Sequence, residues 1–359
     1  MPHLPHPPHL PRPHLPRPGR PHPGPGMSLY LLSPVIAELM LGSSPPLTFA
    51  LLSWTDIPMY GGGAILIREL ALRWRKGWPT IVALGVAYAI AEEGIAIRTF
   101  FDAAGGPTKD LGTYGWFAGA NWVFIAGIVL YHAFISIALP IMLVTMAFPG
   151  RAKEPWVSGR WLRRSTAGLV GIVALWLVAI WHPAVDGRWI VASLGAIGAI
   201  GFIARRLPER IPFDPGHPPS SAPRLRRVVA VVAVSNVAIL LSVYDKGFGT
   251  PPIVAIALIY GILAITLRWI GRNAASPNWT DRHRLALATG VFAWFWCWSP
   301  FLEMTGAHGQ VIVTLIGIWA VRRAWVRLAR DEADRATAPA MAGAAGGAGP
   351  TAEGGAATA

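Results

Sequence analysis

Apolar residues along this chain come in long blocks, separated by short clusters of charge, Gly and Pro. They do not alternate in the way of a half-buried strand or of a surface helix. Nine blocks are long enough to cross a bilayer: residues 47–68, 78–99, 119–147, 165–183, 188–204, 228–244, 251–268, 285–302 and 308–325. Residues 28–44 are also apolar but fall short of the roughly 20 residues that a span needs, and they carry Pro34 and Glu38. The pattern therefore predicts a re-entrant or interfacial segment over 27–46, which becomes a tenth span if it crosses. The third block contains Pro140, which predicts a tilt or kink near its inner end.

The fold class this implies is all-α: a polytopic transmembrane helical bundle of about nine spans, within a range of eight to ten. Residues 47–330 form its membrane domain, with 47–149 as the functional core. Residues 1–26 hold eleven Pro and five His, favour extended polyproline conformations and offer nothing to bury. They read as a disordered leader, with Met27 an alternative start. Residues 331–359 are rich in Ala and Gly and read as a disordered tail.

Composition agrees, with 53% hydrophobic residues, 14% charged residues and 17 Trp, and it excludes an ordinary soluble domain. A net charge of +13 in a soluble protein would point to nucleic acid. Here 24 of the 31 Lys and Arg fall in 68–77, 150–164, 205–227, 268–284 and the stretch from Arg322 onward. The alternate loops hold only Arg98, Lys109, Arg188 and Lys246. Basic loops face the cytoplasm, so the C-terminus is predicted to be cytoplasmic. The expected partner is the lipid bilayer, with no nucleic acid, and the expected location is a plasma membrane of bacterial type. The only cysteine, Cys297, excludes an intrachain disulfide and a cysteine metal cluster.

Candidate chemistry centres on AEEGIAIRTFF, residues 91–101, where Glu92 and Glu93 are adjacent late in the second block. A charge at bilayer depth costs on the order of 3 kcal/mol on insertion scales, so two carboxylates there need partners. His132 lies near mid-depth in the next block. Asn121 and Ser136 share its helical face at spacings of eleven and four residues, which predicts a polar stripe beside the carboxylates. Asp56 adds a further carboxylate at similar depth, followed by Tyr60 and by Gly61, Gly62 and Gly63, which allow close helix approach. Such a group suits a general base or a proton carrier. It equally suits hydrogen bonds that only join helices. Arg68 and Glu69 read as a helix-end ion pair, and AWFWCWSP, residues 293–300, reads as packing plus an interfacial belt.

EEGIAIR, from Glu92 to Arg98, together with His132 in the following span, resembles the first two motifs of the bacterial CPBP (CAAX-type, Abi) intramembrane proteases. That resemblance implies Glu92 or Glu93 as general base on a water and His132 as metal ligand or hydrogen-bond partner. It also implies Asn121 as an orienting group, with a divalent metal such as zinc as cofactor. The wider set GSSPPLTF, YGGGAILIREL, EEGIAIRTFFD and NWVF…YHAFISIALPI, within residues 42–141, is similar to a family of uncharacterised bacterial multi-pass proteins. Three functions stay open on these residues: a CPBP-like hydrolase, a non-catalytic scaffold close beside it, and an ion-coupled carrier behind both. The candidate site residues are Glu92, Glu93 and His132, supported by Asp56, Arg98, Asn121 and Ser136.

Overall fold

The computed structural model describes residues 23–103, 113–179, 185–214, 218–244 and 249–346. Most of the leader, the end of the tail, Lys109 and Lys246 lie outside the described residues, as does the side chain of Asn236. Among the described residues the regular structure is helical, apart from one β-hairpin of two-residue strands.

Helix α1 runs over Pro23–Pro34 and continues as a π-helical turn over Val35–Leu39. It therefore begins inside the stretch read as leader. Its inward side buries Leu29, Ser33, Ile36 and Ala37. Helix α2 spans 46–73, built from Pro46–Asp56, a π-helical stretch Ile57–Gly61, and Gly62–Arg73. Helix α3 covers Trp78–Ala96 and helix α4 covers Trp122–Ala147. Between α3 and α4 a hairpin pairs β1 (Trp116–Phe117) with β2 (Ala120–Asn121). Its two turn residues, Ala118 and Gly119, have φ of 52° and 86°. Positive φ at both central positions is the geometry whose twist matches that of a tight hairpin.

The remaining helices are α5 (Gly159–Ala179), α6 (Gly187–Arg206), α7 (Ala222–Tyr244), α8 (Pro252–Ala274), α9 (Asp281–Met304) and α10 (Gln310–Gly346). Among the described residues six helices are long and apolar enough to cross a membrane: α3, α4, α5, α6, α8 and α9. The other three blocks that the pattern predicts as spans lie in α2, α7 and α10. Helix α10 continues well into the stretch read as a tail.

Packing places α1 to α4 at the centre. Met59, Tyr60, Ala64 and Ile65 of α2 meet Ile81, Leu84 and Tyr88 of α3 and Ile137 and Ile141 of α4, with Leu29 of α1. Glycines set how near the backbones come. A side chain at Gly61 would meet the Tyr30 carbonyl oxygen at 2.1 Å, one at Gly63 the Tyr88 ring at 2.5 Å, and one at Gly85 the Ala133 backbone at 2.8 Å. The glycine run read from the sequence thus serves three neighbours at once, α1 through Gly61, the Ser165 carbonyl of α5 through Gly62, and α3 through Gly63.

Loops sort by charge. The Lys76 ammonium donates to the Leu207 carbonyl at 2.6 Å, Phe213 lies against Gly271, and Arg282 pairs with Glu332 at 2.9 Å, so basic segments meet basic segments. The opposite loops meet one another, with Phe101 stacked on Trp189 at 4.9 Å and the Tyr114 hydroxyl donating to the Thr250 carbonyl at 2.9 Å.

Candidate functional site

Prolines and glycines first decide the local backbone. Pro34 ends the regular part of α1, Pro58 lies in the altered stretch of α2, and Pro140 follows that of α4. A proline cannot donate to the carbonyl four residues earlier and its ring crowds that carbonyl, so the helix must adjust. In a membrane the freed carbonyl also needs another donor. For Pro140 that carbonyl belongs to Ser136, and the Ser33 hydroxyl of α1 donates to it at 2.6 Å.

π-Helical turns lie at Val35–Leu39, Ile57–Gly61 and His132–Ala138, each holding or within two residues of one of these prolines, and at Ile90–Ala96, which has no proline near it. Each widens its helix by one residue and re-aims the side chains on it, and such turns concentrate at functional sites. All four carry polar residues of one cluster: Glu38, then Tyr60, then Glu92 and Glu93, then His132 and Ser136.

His132 is the hub. Its Nε2 is 3.0 Å from Glu93 Oε1, and its Nδ1 is 3.2 Å from Ser136 Oγ and 3.3 Å from Glu92 Oε2. Glu92 Oε2 is buried without a well-aligned hydrogen bond, so it acts on the ring through charge. The Thr99 hydroxyl donates to the Glu93 carboxylate. On the far side the Tyr60 hydroxyl donates to Glu38, whose Oε2 also accepts from Ser43 at 2.6 Å and from Ser44 at 3.0 Å.

Three tyrosine rings enclose the imidazole: Tyr60 stacked at 6.1 Å, Tyr131 edge-on at 5.4 Å and Tyr88 at 6.1 Å. The Tyr131 hydroxyl is occupied by the Ala37 carbonyl at 2.6 Å, which ties α4 to α1. Glu92 is 1% exposed, His132 2% and Glu93 7%, while Glu38 is only half-buried. Among the described residues no Lys or Arg ion-pairs with these carboxylates. The cluster thus holds two buried carboxylates, with the half-buried Glu38 beyond Tyr60, around a single imidazole.

The predicted metal site does not fit this donor set. Zinc needs a ring nitrogen with its lone pair turned to the ion at about 2.0–2.1 Å, within a group of four ligands. Both nitrogens of His132 instead face oxygens of Glu93, Ser136 and Glu92 within 3.3 Å, so each is already engaged by a neighbour. Among the described residues no group of three or more His, Cys, Asp or Glu side chains is placed to hold a metal ion.

Not every predicted residue joins the cluster. Glu92, Glu93, His132 and Ser136 do. Asn121 does not: its Oδ1 accepts from the Phe124 amide at 3.0 Å and its Nδ2 donates to the Tyr114 carbonyl at 3.1 Å, which makes it the N-cap of α4. Asn is a favoured cap because its side chain satisfies an amide that the first turn leaves free, so helix position outweighs helix face here. Arg98 is buried at a φ of 63° just beyond α3 and pairs with neither Glu92 nor Glu93. Asp56 lies one turn before Tyr60 with its Oδ1 accepting from Thr55 at 3.2 Å and its Oδ2 buried without a partner.

Glu38 and Tyr60 are members that the reading of the sequence left out of the site. The available signal was Pro34 and Pro58, each an unusual residue in an apolar run and each within four positions of a polar group. Glu303, near the end of α9, serves the backbone instead: its carboxylate accepts from the Gly309 amide at 2.9 Å and the Val311 amide at 3.0 Å, capping α10.

Arg68 and Glu69 form a separate buried group. Arg68 Nη1 meets Glu69 Oε1 at 2.7 Å, its Nη2 donates to the Ala152 carbonyl at 3.0 Å, and its guanidinium lies 3.9 Å from the Trp156 ring. Glu69 Oε1 also accepts from the Trp156 amide at 2.9 Å. The ion pair read from the sequence is therefore also a clamp on the loop between α4 and α5.

A model of an uncharacterized membrane protein family matches residues 28–330 of the chain. No curated protein and no solved structure matches it.

Proposed function

The chain belongs to this uncharacterised membrane protein family, and from that premise we propose that it is a proton-coupled membrane carrier. Its proton site in this reading is the cluster Glu38, Tyr60, Glu92, His132 and Glu93. The observation that carries the reading is the enclosure of His132 between two buried carboxylates. Groups so enclosed exchange protons along hydrogen bonds, whereas a peptide or lipid bond would have to reach them past three tyrosine rings. Intramembrane ionisable residues that pair with one another are the ordinary parts of proton relays.

Residues 47–330 serve as the membrane domain in this reading, with residues 47–149 as its functional core, joined by α1. The reading takes nine spans with the C-terminus on the cytoplasmic side of a bacterial plasma membrane. The segregation of Lys and Arg supports that orientation. The CPBP-like hydrolase is the weaker reading, because both His132 nitrogens are engaged by neighbouring oxygens and Arg98 ion-pairs with neither glutamate.

Proton uptake into vesicles holding the purified protein and a trapped pH dye, under an imposed membrane potential, tests the proposal. Wild type should acidify the lumen faster than protein-free vesicles, and Glu93→Gln and His132→Gln should abolish the difference. Equal rates for wild type and protein-free vesicles, together with lower melting temperatures in both variants, would leave a polar cluster that only joins helices.

A further inference from the structure

Helix α10 changes character along its length. Its first half exposes Ile312, Leu315, Ile316 and Trp319, an apolar surface of the kind that suits lipid tails. Immediately afterwards come Arg322, Arg323, Arg327 and Arg330. Trp319, Arg322, Arg323, Val326, Arg327 and Arg330 are spaced by three and four residues, so they share one face, and with Asp331 they line a surface cavity of about 540 Å³.

All the lining residues come from α10 itself, so among the described residues no other helix lines this face. The Arg323 guanidinium lies 5.0 Å from the Trp319 ring, and Arg327 reaches Asp331 only at 4.0 Å. Arg322, Arg323 and Arg330 have no ion pair among the described residues. Arg282 at the start of α9 pairs with Glu332 of α10, which fixes the register of the two helices beside the patch.

We propose that this face of α10 is a binding site for the headgroups of anionic phospholipids, in the leaflet that the basic end of the bundle meets. Guanidinium groups match phosphate oxygens in a bidentate geometry, and a tryptophan one turn earlier sits at headgroup level. Continuity with the lipid-facing half of the same helix selects a membrane lipid over a soluble phosphate. Each basic residue near an anionic surface contributes about fivefold in affinity, so four arginines give a preference of several hundredfold at low salt.

The test is lipid retention by the purified full-length chain in mixed micelles, read by native mass spectrometry. The probes are phosphatidylglycerol against phosphatidylcholine, with inorganic phosphate as competitor. Wild type should retain phosphatidylglycerol selectively, and millimolar inorganic phosphate should not displace it. Replacing Arg322, Arg323, Arg327 and Arg330 by Gln should remove the selectivity, while the same four replaced by Lys should keep most of it. Arg205→Gln with Arg206→Gln, at another basic helix end, should leave it intact. Selectivity that survives the four Gln substitutions, is lost equally in the Arg205 and Arg206 variant, or is displaced by phosphate would overturn the assignment.

Discussion

The central helices α3 and α4 and the outer helices α5, α6 and α8 use the same apolar alphabet for opposite ends, with α9 between them at 44% buried. In α3 and α4, 67% and 56% of the most apolar window is buried inside the protein, whereas in α5, α6 and α8 the figure is 11%. Helices α1 to α4 bring prolines, close glycines and ionisable groups inward. Helices α5, α6 and α8 turn Val170, Val178, Val191, Phe202 and Ile265 outward, as a lipid-facing shell requires. The lesson is that hydropathy marks both kinds of helix alike, and polar placement separates them. A central helix can hold a glutamate because its neighbours supply donors, and a shell helix has lipid on that side.

That contrast breaks most sharply at the cluster. His132→Ala leaves Glu92 and Glu93 buried without the imidazole between them, and removing one partner of a buried pair costs about 3–5 kcal/mol. Unfolding in a denaturing detergent titration should show the loss. A variant as stable as wild type would mean that the carboxylates do not depend on the ring.

The glycine contacts come next. Gly61→Ala forces a methyl group against the Tyr30 carbonyl at 2.1 Å and should destabilise by about 1–3 kcal/mol in the same titration. Gly171→Ala, with nothing within 4 Å, is the matched control in α5 and should be neutral or slightly stabilising.

Ser33→Ala removes the donor that satisfies the Ser136 carbonyl, and hydrogen bonds between membrane helices are worth about 1 kcal/mol, so a loss of that size is expected. A loss that vanishes when Pro140 is also replaced by Ala would trace the requirement to the proline, since the restored amide then serves the carbonyl itself.

Val178→Ala in α5 sharpens the other side. Val178 is 76% exposed, and truncating it should change stability by less than about 0.5 kcal/mol. A change several times larger would show that the shell is covered by another copy of the chain.

The helical class, the central span blocks and the sorting of basic loops were legible from the residues alone. Hydropathy, helix length and local charge are properties of neighbouring residues, so 78–99 and 119–147 needed nothing else to be recognised as helices in lipid. The pair Glu92 and Glu93 stood out for the same reason: charge at depth is anomalous wherever it occurs. His132 was reachable as their partner because it is the imidazole in the adjoining block, and Ser136 followed from helical spacing.

Other assignments depended on which side chains meet, and only the tertiary structure decided them. Asn121 shares a helical face with His132, yet its position at the first turn of α4 commits both of its polar atoms to the backbone. Glu38 looked like an oddity in a segment too short to span, and it joins the site because α1 packs Glu38 within reach of Tyr60. The four π-helical turns leave no mark in hydropathy, since they change backbone geometry and not composition. The sequence by itself determined a membrane bundle with a carboxylate pair in it. That the pair encloses a histidine depends on the aim of individual bonds, which is set by residues far apart in the chain.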